Sequence, residues 1–323
     1  MPHAMRIYEN GGPEVMRWEE VELAAPGPGE VRVRNTAVGL NFVDTYQRSG
    51  LYKLPLPMVL GSEGAGVVEA LGPRVKEFKV GDRVAYAQPI GAYAEVLNRP
   101  VARLVKIPEG VKDETAAAMM LKGMTAWYLV RRTYRVKKGD TILVHAAAGG
   151  VGQILCQWAK HLGATVIGTV GSDEKAALAK KAGCKHVIVT SRENIPERVK
   201  AITKGKGVPV VYDGVGKDTF MDSLDCLAPL GMMASFGNAS GAVPPVNIAI
   251  FAQKGSLFLT RPTLGNYTAT REDLLTAARE LFAVVKKGAV KIKINQTYPL
   301  REAAKAHADL ESRKTTGSTV LVP

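Results

Sequence analysis

The sequence predicts a two-domain α/β protein in which a doubly wound parallel sheet interrupts a smaller β-rich domain. Three observations predict it. The first third reads as short strands parted by Gly and Pro. From about Ala126 six apolar runs alternate with helical segments, the signature of βαβ units whose parallel sheet is covered on both faces. From about Pro262 a long amphipathic helix, a strand, a second helix and a final strand follow. With six strands the middle sheet is already complete, so these last elements are assigned back to the first domain. The expected domains are therefore 1–125, 126–262 and 263–323, the third completing the first.

In order along the chain, "EVRVRNTAVGL" alternates with period two, "GAGVVEALG" is a short apolar strand, and "VGDRVAYAQPIGAYAEV" reads as strand–turn–strand. The middle strands are "TILVHAAA", "TVIGTV", "HVIVT", "VPVVYDGV", "GMMASFG" and "SLFLT", with "VGQILCQWAKHLG" and "SDEKAALAKKAG" among the helices between them. "TREDLLTAARELFAVVKKGAV" is a long helix opened by Thr270 and Asp273 in capping-box order. "LREAAKAHADLESR" and "GSTVLVP" supply the last helix and strand.

Composition excludes several classes. A hydrophobic fraction of 46% and a charged fraction of 23% are those of an ordinary globular protein. No run of about 18 apolar residues predicts a membrane span, and the start "MPHAMRIYENGG" has no apolar signal core, so a cytoplasmic protein is expected. The cysteines at 156, 184 and 226 are scattered and lack CxxC spacing, which argues against a disulfide framework. The net charge of +13 attracts polyanions, but the basic residues are spread, as in "RRTYRVKK" and "KKAGCKH". Charge alone does not establish nucleic-acid binding.

The chemistry enters at "VHAAAGGVGQ". Gly149 and Gly150 allow a tight turn between strand and helix, and Gly152 allows the two to pack closely. The N–H groups opening the helix near Val151, together with its dipole, form a seat for a pyrophosphate. In the first unit of a six-strand α/β pattern, this turn reads as a dinucleotide site of Rossmann type. NAD sites usually place an acid at the end of the second strand for the ribose 2′-hydroxyl. Here that strand ends in "GSDEK": Gly171, Ser172 and Lys175 suit a 2′-phosphate, and Asp173 is assigned to capping the helix that follows. NADPH is the expected cofactor.

Ten segments in order resemble the zinc-independent quinone oxidoreductases of the medium-chain dehydrogenase/reductase superfamily, the group that includes zeta-crystallin. They are "GGPEVMRWEEVELAAPGPGEVRV", "AVGLNFVDTYQRSGLY", "LGSEGAGVVEALG", "VGDRVAYAQPIGAYAE", "AAAMMLKGMTAWYL", "HAAAGGVG", "VVYDGVG", "SFGNASGAV", "LTRPTL" and "ESRKTTGSTVLVP". The resemblance covers nearly the whole chain. It implies a GroES-like catalytic domain beside the Rossmann domain, a homodimer paired through the edge strand "GSLFLT", and transfer of hydride or electrons from NADPH to a quinone in the interdomain cleft. Zinc-dependent relatives carry a ligand Cys where this chain has Asn41, and "GHE" where it has "GSE" with Ser62. Glu63 remains alone, no Cys precedes residue 156, and no two of the five His form an HxxxH pair, so no metal is expected.

The resemblance also implies roles residue by residue. Asn41, Asp44 and Tyr46 sit beside the nicotinamide and acceptor, and Tyr46 or Tyr52 meets a quinone oxygen. Lys122, Thr125 and Tyr128, on a helix joining the domains, meet the nicotinamide amide and ribose, while Trp127 belongs to the core. Gly150, Val151, Gly171, Ser172 and Lys175 contact phosphates. Phe236, Gly237, Asn238 and Ser240 lie at the nicotinamide ribose, Pro262 and Thr263 at the carboxamide, and Arg313 at the adenosine phosphates. The chain departs from the family at Thr190, where a Tyr is common, with Arg192 as a substitute contact, and at Gly214, where close relatives often have Ser. His145 is expected to be a satisfied structural histidine, and no Ser-His-Asp ordering is evident. Two alternatives stay open: an NADPH-dependent 2-alkenal or enone reductase on the same scaffold, and a single-stranded RNA-binding protein like some zeta-crystallin relatives.

Overall fold

The alternating run at residues 30–40 becomes the strand around which the first sheet is built. A computed structural model describes residues 1–323. It divides into two units, one formed by 1–124, 268–286 and 292–323, the other by 125–267 and 287–291.

The first unit opens with β1 (His3–Ile7), β2 (Arg17–Glu20), β3 (Glu30–Leu40), α1 (Phe42–Ser49), β4 (Met58–Val59) and β5 (Glu63–Leu71). β6 (Arg83–Ala87), β7 (Val96–Pro100), β8 (Val105–Lys106) and α2 (Asp113–Ala117) follow. The boundary between units falls within α3 (Met120–Tyr128), which runs on into a π-helical turn at Leu129–Thr133.

The second unit holds β9 (Thr141–Val144), α4 (Gly150–His161), β10 (Thr165–Val170), α5 (Asp173–Lys181), β11 (His186–Val189) and α6 (Ile195–Thr203). It continues through β12 (Val208–Asp213), α7 (Phe220–Cys226), β13 (Leu227–Ser235), α8 (Ala249–Gln253), β14 (Phe258–Thr260) and α9 (Leu264–Tyr267). The chain then returns to the first unit with α10 (Arg271–Lys286), β15 (Ile294–Pro299), α11 (Ala303–Glu311) and β16 (Ser318–Val322). Thr270 caps α10: its hydroxyl accepts from the Asp273 N–H at 3.1 Å.

In the first unit the large sheet has the order β15-β16-β3-β5-β6-β8, with β7 also paired to β3. β16 is antiparallel to β3, Leu321 opposite Val38, so the end of the chain completes the sheet begun near its start. Inward-facing Val31, Val33, Leu40, Tyr86, Leu104 and Leu321 share one buried core. β2-β1-β4 form a separate small sheet.

The second unit is the doubly wound sheet, all parallel in the order β11-β10-β9-β12-β13-β14. Leu143, Ile167, Ile188, Val211 and Met233 pack with Ile195, Val199, Phe220 and Leu224 of the covering helices. The winding reverses between β9 and β12, and ligands of such sheets sit at that switch point, beyond the carboxyl ends of the strands. No helix is long and apolar enough to cross a membrane.

Two boundaries differ from the sequence reading. Residues 263–267 and 287–291 pack with the second unit. Tyr267 stacks on Tyr128 at 4.5 Å between ring centroids and accepts from Thr133, and Lys291 exchanges hydrogen bonds with Gln157. Strand β9 ends at Val144, short of the apolar run, because Ala146 adopts a left-handed φ of 51° that no strand continues through.

Candidate functional site

The glycine turn lies at the carboxyl end of β9. Gly149 stands at the N-cap of α4, and its N–H bonds the Ala146 carbonyl at 2.9 Å. A Cβ on Gly152 would lie 2.3 Å from the Ala146 oxygen and 2.9 Å from the Ala147 Cα. Only glycine permits that approach, which lays the first turn of α4 against the incoming loop. The opening N–H groups of the helix, Gly150 and Val151 among them, are those an α-helix leaves without internal partners. Gln153 fixes the loop from within the helix, its amide bonding the Ala148 carbonyl at 2.8 Å.

At the end of β10 Gly171 is exposed, with open space where a Cβ would stand. Ser172, extended at φ −151°, caps α5, its hydroxyl oxygen 3.5 Å from the Lys175 N–H. Asp173 is therefore the first helical residue and not the cap. Its exposed carboxylate pairs with Arg192 at 2.7 Å. The Ser172 hydroxyl also holds the neighbouring Glu174 carboxyl below its ordinary range. Thr190 turns its hydroxyl back to the Val170 carbonyl at 3.2 Å. The strand tip thus presents a hydroxyl and a lysine, with the Asp173 charge answered by arginine.

Beyond β12 and β13 two loops interlock. A Cβ on Gly237 would meet the Gly214 oxygen at 2.4 Å, and the Phe236 ring covers Gly214. Ser240 donates to the Val215 carbonyl at 2.9 Å, while Arg261, which the sequence reading overlooked, donates to the Ser235 carbonyl at 2.7 Å. Asn238 lies half-buried in the same loop. Pro262 is buried and Thr263 exposed just after β14. On α3, Thr125 and Tyr128 are buried, and Trp127 lies in the core as expected.

Beneath these loops runs a cluster that the sequence did not reveal. Asp213 accepts from the Val215 and Gly216 N–H groups and from the Thr219 and Ser223 hydroxyls, at 2.7 to 3.0 Å. Because Ser223 spends its proton on Asp213, His145 donates from Nε2 to the Ser223 oxygen (3.0 Å) and accepts at Nδ1 from Thr169 (2.9 Å). Burial lowers the pKa of this histidine, which stays neutral. Ser-His-Asp contact exists, but all three side chains are buried. It ties β9, β10 and β12 together at the switch point and is structural.

In the first unit the residues collect around Asn41, at the N-cap of α1. Its Nδ2 donates to Glu63 Oε1 at 2.9 Å, and its backbone N–H to Asp44 Oδ2 at 2.9 Å. Glu63 is fully buried and also accepts from Lys122 Nζ and from the Leu121 N–H, each at 2.6 Å. The Lys122 ammonium, 5% exposed with its residue, is committed to Glu63. Asp44 is equally enclosed and accepts from Ser62 (2.8 Å) and Tyr93 (2.9 Å). Burial pushes its carboxyl up to about 6 against those hydrogen bonds. Tyr46, nearly buried, meets Tyr52 edge to face at 5.3 Å between centroids, and Tyr52 remains 36% exposed. Asn41, Asp44 and Lys122 are thus brought together, joined by Ser62, Glu63 and Tyr93. Arg313 is elsewhere, exposed just beyond α11.

These donors do not fit a zinc ion. Asn41 and Ser62 spend protons on carboxylates, Glu63 is bonded to a lysine ammonium, Asp44 accepts from Ser62, Tyr93 and the Asn41 N–H, and no three His, Cys, Asp or Glu side chains gather as a metal site requires.

Behind Asp44, burial and the Arg48 cation bring His307 down to about 3, from an ordinary value near 6.5. A depressed histidine contributes stability above its unfolded pKa and loses it as pH falls towards the folded one. Asp44 has the opposite sign, contributing below about 4 and losing that contribution as pH rises through about 6. The stability gap between wild type and His307→Gln is therefore expected to shrink by about 3 kcal/mol from pH 6.5 to 4. Urea unfolding at the two pH values checks this, and a constant gap would mean that His307 is not held neutral.

Two family models match the chain: the alcohol dehydrogenase GroES-like domain over residues 27–109 and the zinc-binding dehydrogenase model over 150–282. With the fold, they define a medium-chain dehydrogenase/reductase. A quinone oxidoreductase of Pseudomonas aeruginosa is 58% identical over the whole of both chains. The structure of the Escherichia coli quinone oxidoreductase complexed with NADPH superimposes with a TM-score of 0.98 at 51% identity, covering 99% of this chain and 100% of that one. A Burkholderia 2-haloacrylate reductase is 49% identical, over 100% of this chain and 99% of its own. The chain belongs to the quinone oxidoreductase family.

Proposed function

We propose that the chain is a cytoplasmic NADPH-dependent quinone reductase that works without a metal. The observation that carries this is the tip of β10, where Ser172 and Lys175 stand beside an exposed Gly171 and Arg192 answers the Asp173 charge. A 2′-phosphate finds Ser172 and cations there, whereas Asp173, the acid a 2′-hydroxyl would use, is paired with Arg192. NADPH, when bound, supplies the hydride. The opening N–H groups of α4 at Gly150–Gly152 receive the pyrophosphate, Gly149 turns the chain into them, and Arg313 is a further phosphate contact. Phe236, Gly237, Asn238, Ser240, Pro262, Thr263, Thr125 and Tyr128 shape the nicotinamide end. Asn41, Tyr46 and Tyr52 orient the acceptor, and enclosed Asp44 and Lys122 hold Asn41 instead of touching it. A quinone needs no Lewis acid, because conjugation spreads the arriving charge, so positioning in a dry site is the main task. The same reading pairs two copies across β14, an edge strand with exposed Phe258 and Leu259. All three cysteines are free thiols, even Cys156 and Cys184 at 3.5 Å between sulfurs, which suits a reducing compartment.

Lys175→Ala is expected to raise the KM for NADPH at least about tenfold and that for NADH less than twofold, about 1.4 kcal/mol of selective binding. Steady-state rates with 1,4-benzoquinone read both constants, and an equal change would defeat the 2′-phosphate assignment. The 2-haloacrylate reductase relative favours one second reading, reduction of an activated alkene. In the same assay a 2-alkenal that outpaces benzoquinone in kcat/KM would replace the first reading with this one.

A further inference from the structure

We propose that Tyr93 and His307 are positioning residues for the reaction: the buried chain Arg48–His307–Tyr93–Asp44 fixes the backbone of Asn41 and conducts no proton. The proposal rests on the placement of Asn41 at the acceptor.

The direction of every hydrogen bond follows from what each group can donate. Arg48 has donors only, so the contact of its Nη1 with His307 Nδ1 at 3.0 Å makes Nδ1 an acceptor. The ring proton then sits on Nε2 and points at the Tyr93 oxygen, 3.0 Å away. The single phenolic proton goes on to Asp44 Oδ2 at 2.9 Å, the oxygen that also takes the Asn41 N–H. Ser62 fills Oδ1. All these protons converge on one carboxylate, and that carboxylate opens α1 at Asn41.

The partners come from distant parts of the chain: α1, the residue before β5, the segment before β7, and α11. Arg48 is 2% exposed and closed off by both carboxylate oxygens of Glu311, at 2.8 and 3.0 Å. A relay from solvent would have to pass this guanidinium, which does not give up its proton. Nor can His307 take up a second proton at Nδ1 without breaking from Arg48. The chain is therefore a static strut. The other charges facing Asp44 are Glu63, answered by Lys122, and Arg48 behind His307, answered by Glu311.

Tyr93→Phe keeps the ring and removes the strut's link to Asp44. We expect kcat with 1,4-benzoquinone to fall about tenfold while the Kd for NADPH, from fluorescence titration, stays within twofold. The acid limb of the kcat profile should move up by about one pH unit, since a carboxylate that loses a donor holds its proton more tightly. The solvent deuterium isotope effect should match the wild type. Nitrogen NMR of unmodified protein without cofactor should show His307 neutral at pH 7 with its proton on Nε2. An Nδ1-protonated or cationic ring would overturn the proposal, as would an isotope effect abolished in Tyr93→Phe, which would mean proton conduction. Wild-type kcat and pH profile in Tyr93→Phe, with Asn41→Ala slow, would overturn it and leave the placement of Asn41 standing. Wild-type turnover in Asn41→Ala would sink that placement, and the proposal with it.

Discussion

Gly152→Val is expected to raise the Kd for NADPH by about 100-fold or more, roughly 2.7 kcal/mol, as read by fluorescence titration. The magnitude follows from contact. The first added carbon alone would lie 2.3 Å from the Ala146 oxygen, nearly an ångström inside van der Waals distance, and the obstacle is backbone on both sides. Either α4 or the 145–149 loop must back away. The helix carries the N–H groups that receive the pyrophosphate and the loop sets where that helix begins, so the seat opens whichever yields. Overpacking costs typically 1–3 kcal/mol and more where backbone must move, so the melting temperature should fall as well. An unchanged Kd in a folded variant would show that the phosphates sit elsewhere.

Glu63→Gln should be the most destabilising change of charge in the first unit. The Glu63 carboxylate is fully buried and accepts from Lys122, Asn41 and the Leu121 N–H. Neutralising it leaves an ammonium enclosed without a counter-charge, at a cost of about 3–5 kcal/mol. For a unit of this size that is roughly 10 °C in melting temperature. Glu63→Gln combined with Lys122→Met removes both charges and should recover most of the loss, because a buried pair gains little over an apolar replacement. If the double variant melts no higher than the single one, the instability does not come from the stranded lysine.

Much of this was legible in the sequence because the signals are local. Strand alternation at 30–40, the glycine spacing at 149–152 and the Thr270–Asp273 cap each depend on residues a few positions apart, and the structure forms all three. Where two local candidates compete, the reading can fail. Ser172 and Asp173 both suit a cap, and the extended backbone at Ser172 decides between them. The alanines after Val144 are equally at home in a strand or a buried turn, so the end of β9 was misplaced. The polar clusters were out of reach for another reason. Tyr93 and His307 are 214 positions apart, and Arg48 and His307 259. No spacing rule links such partners. A weak cue was present at one end only: His307 lies between alanines in its helix, and an imidazole buried there must find a partner.

The pairing of β16 with β3 also has a bearing on biogenesis. The strand in the middle of the first sheet must await a neighbour synthesised almost a whole chain length later, whereas the nucleotide-type sheet draws its strands from one uninterrupted stretch. On the ribosome the second can mature while the first still presents an open flank. Such nonlocal closure is slow and leaves sticky intermediates, so truncation by even a few residues at Ser318–Val322, which leaves that flank open after release, should be felt first as aggregation of newly made chains.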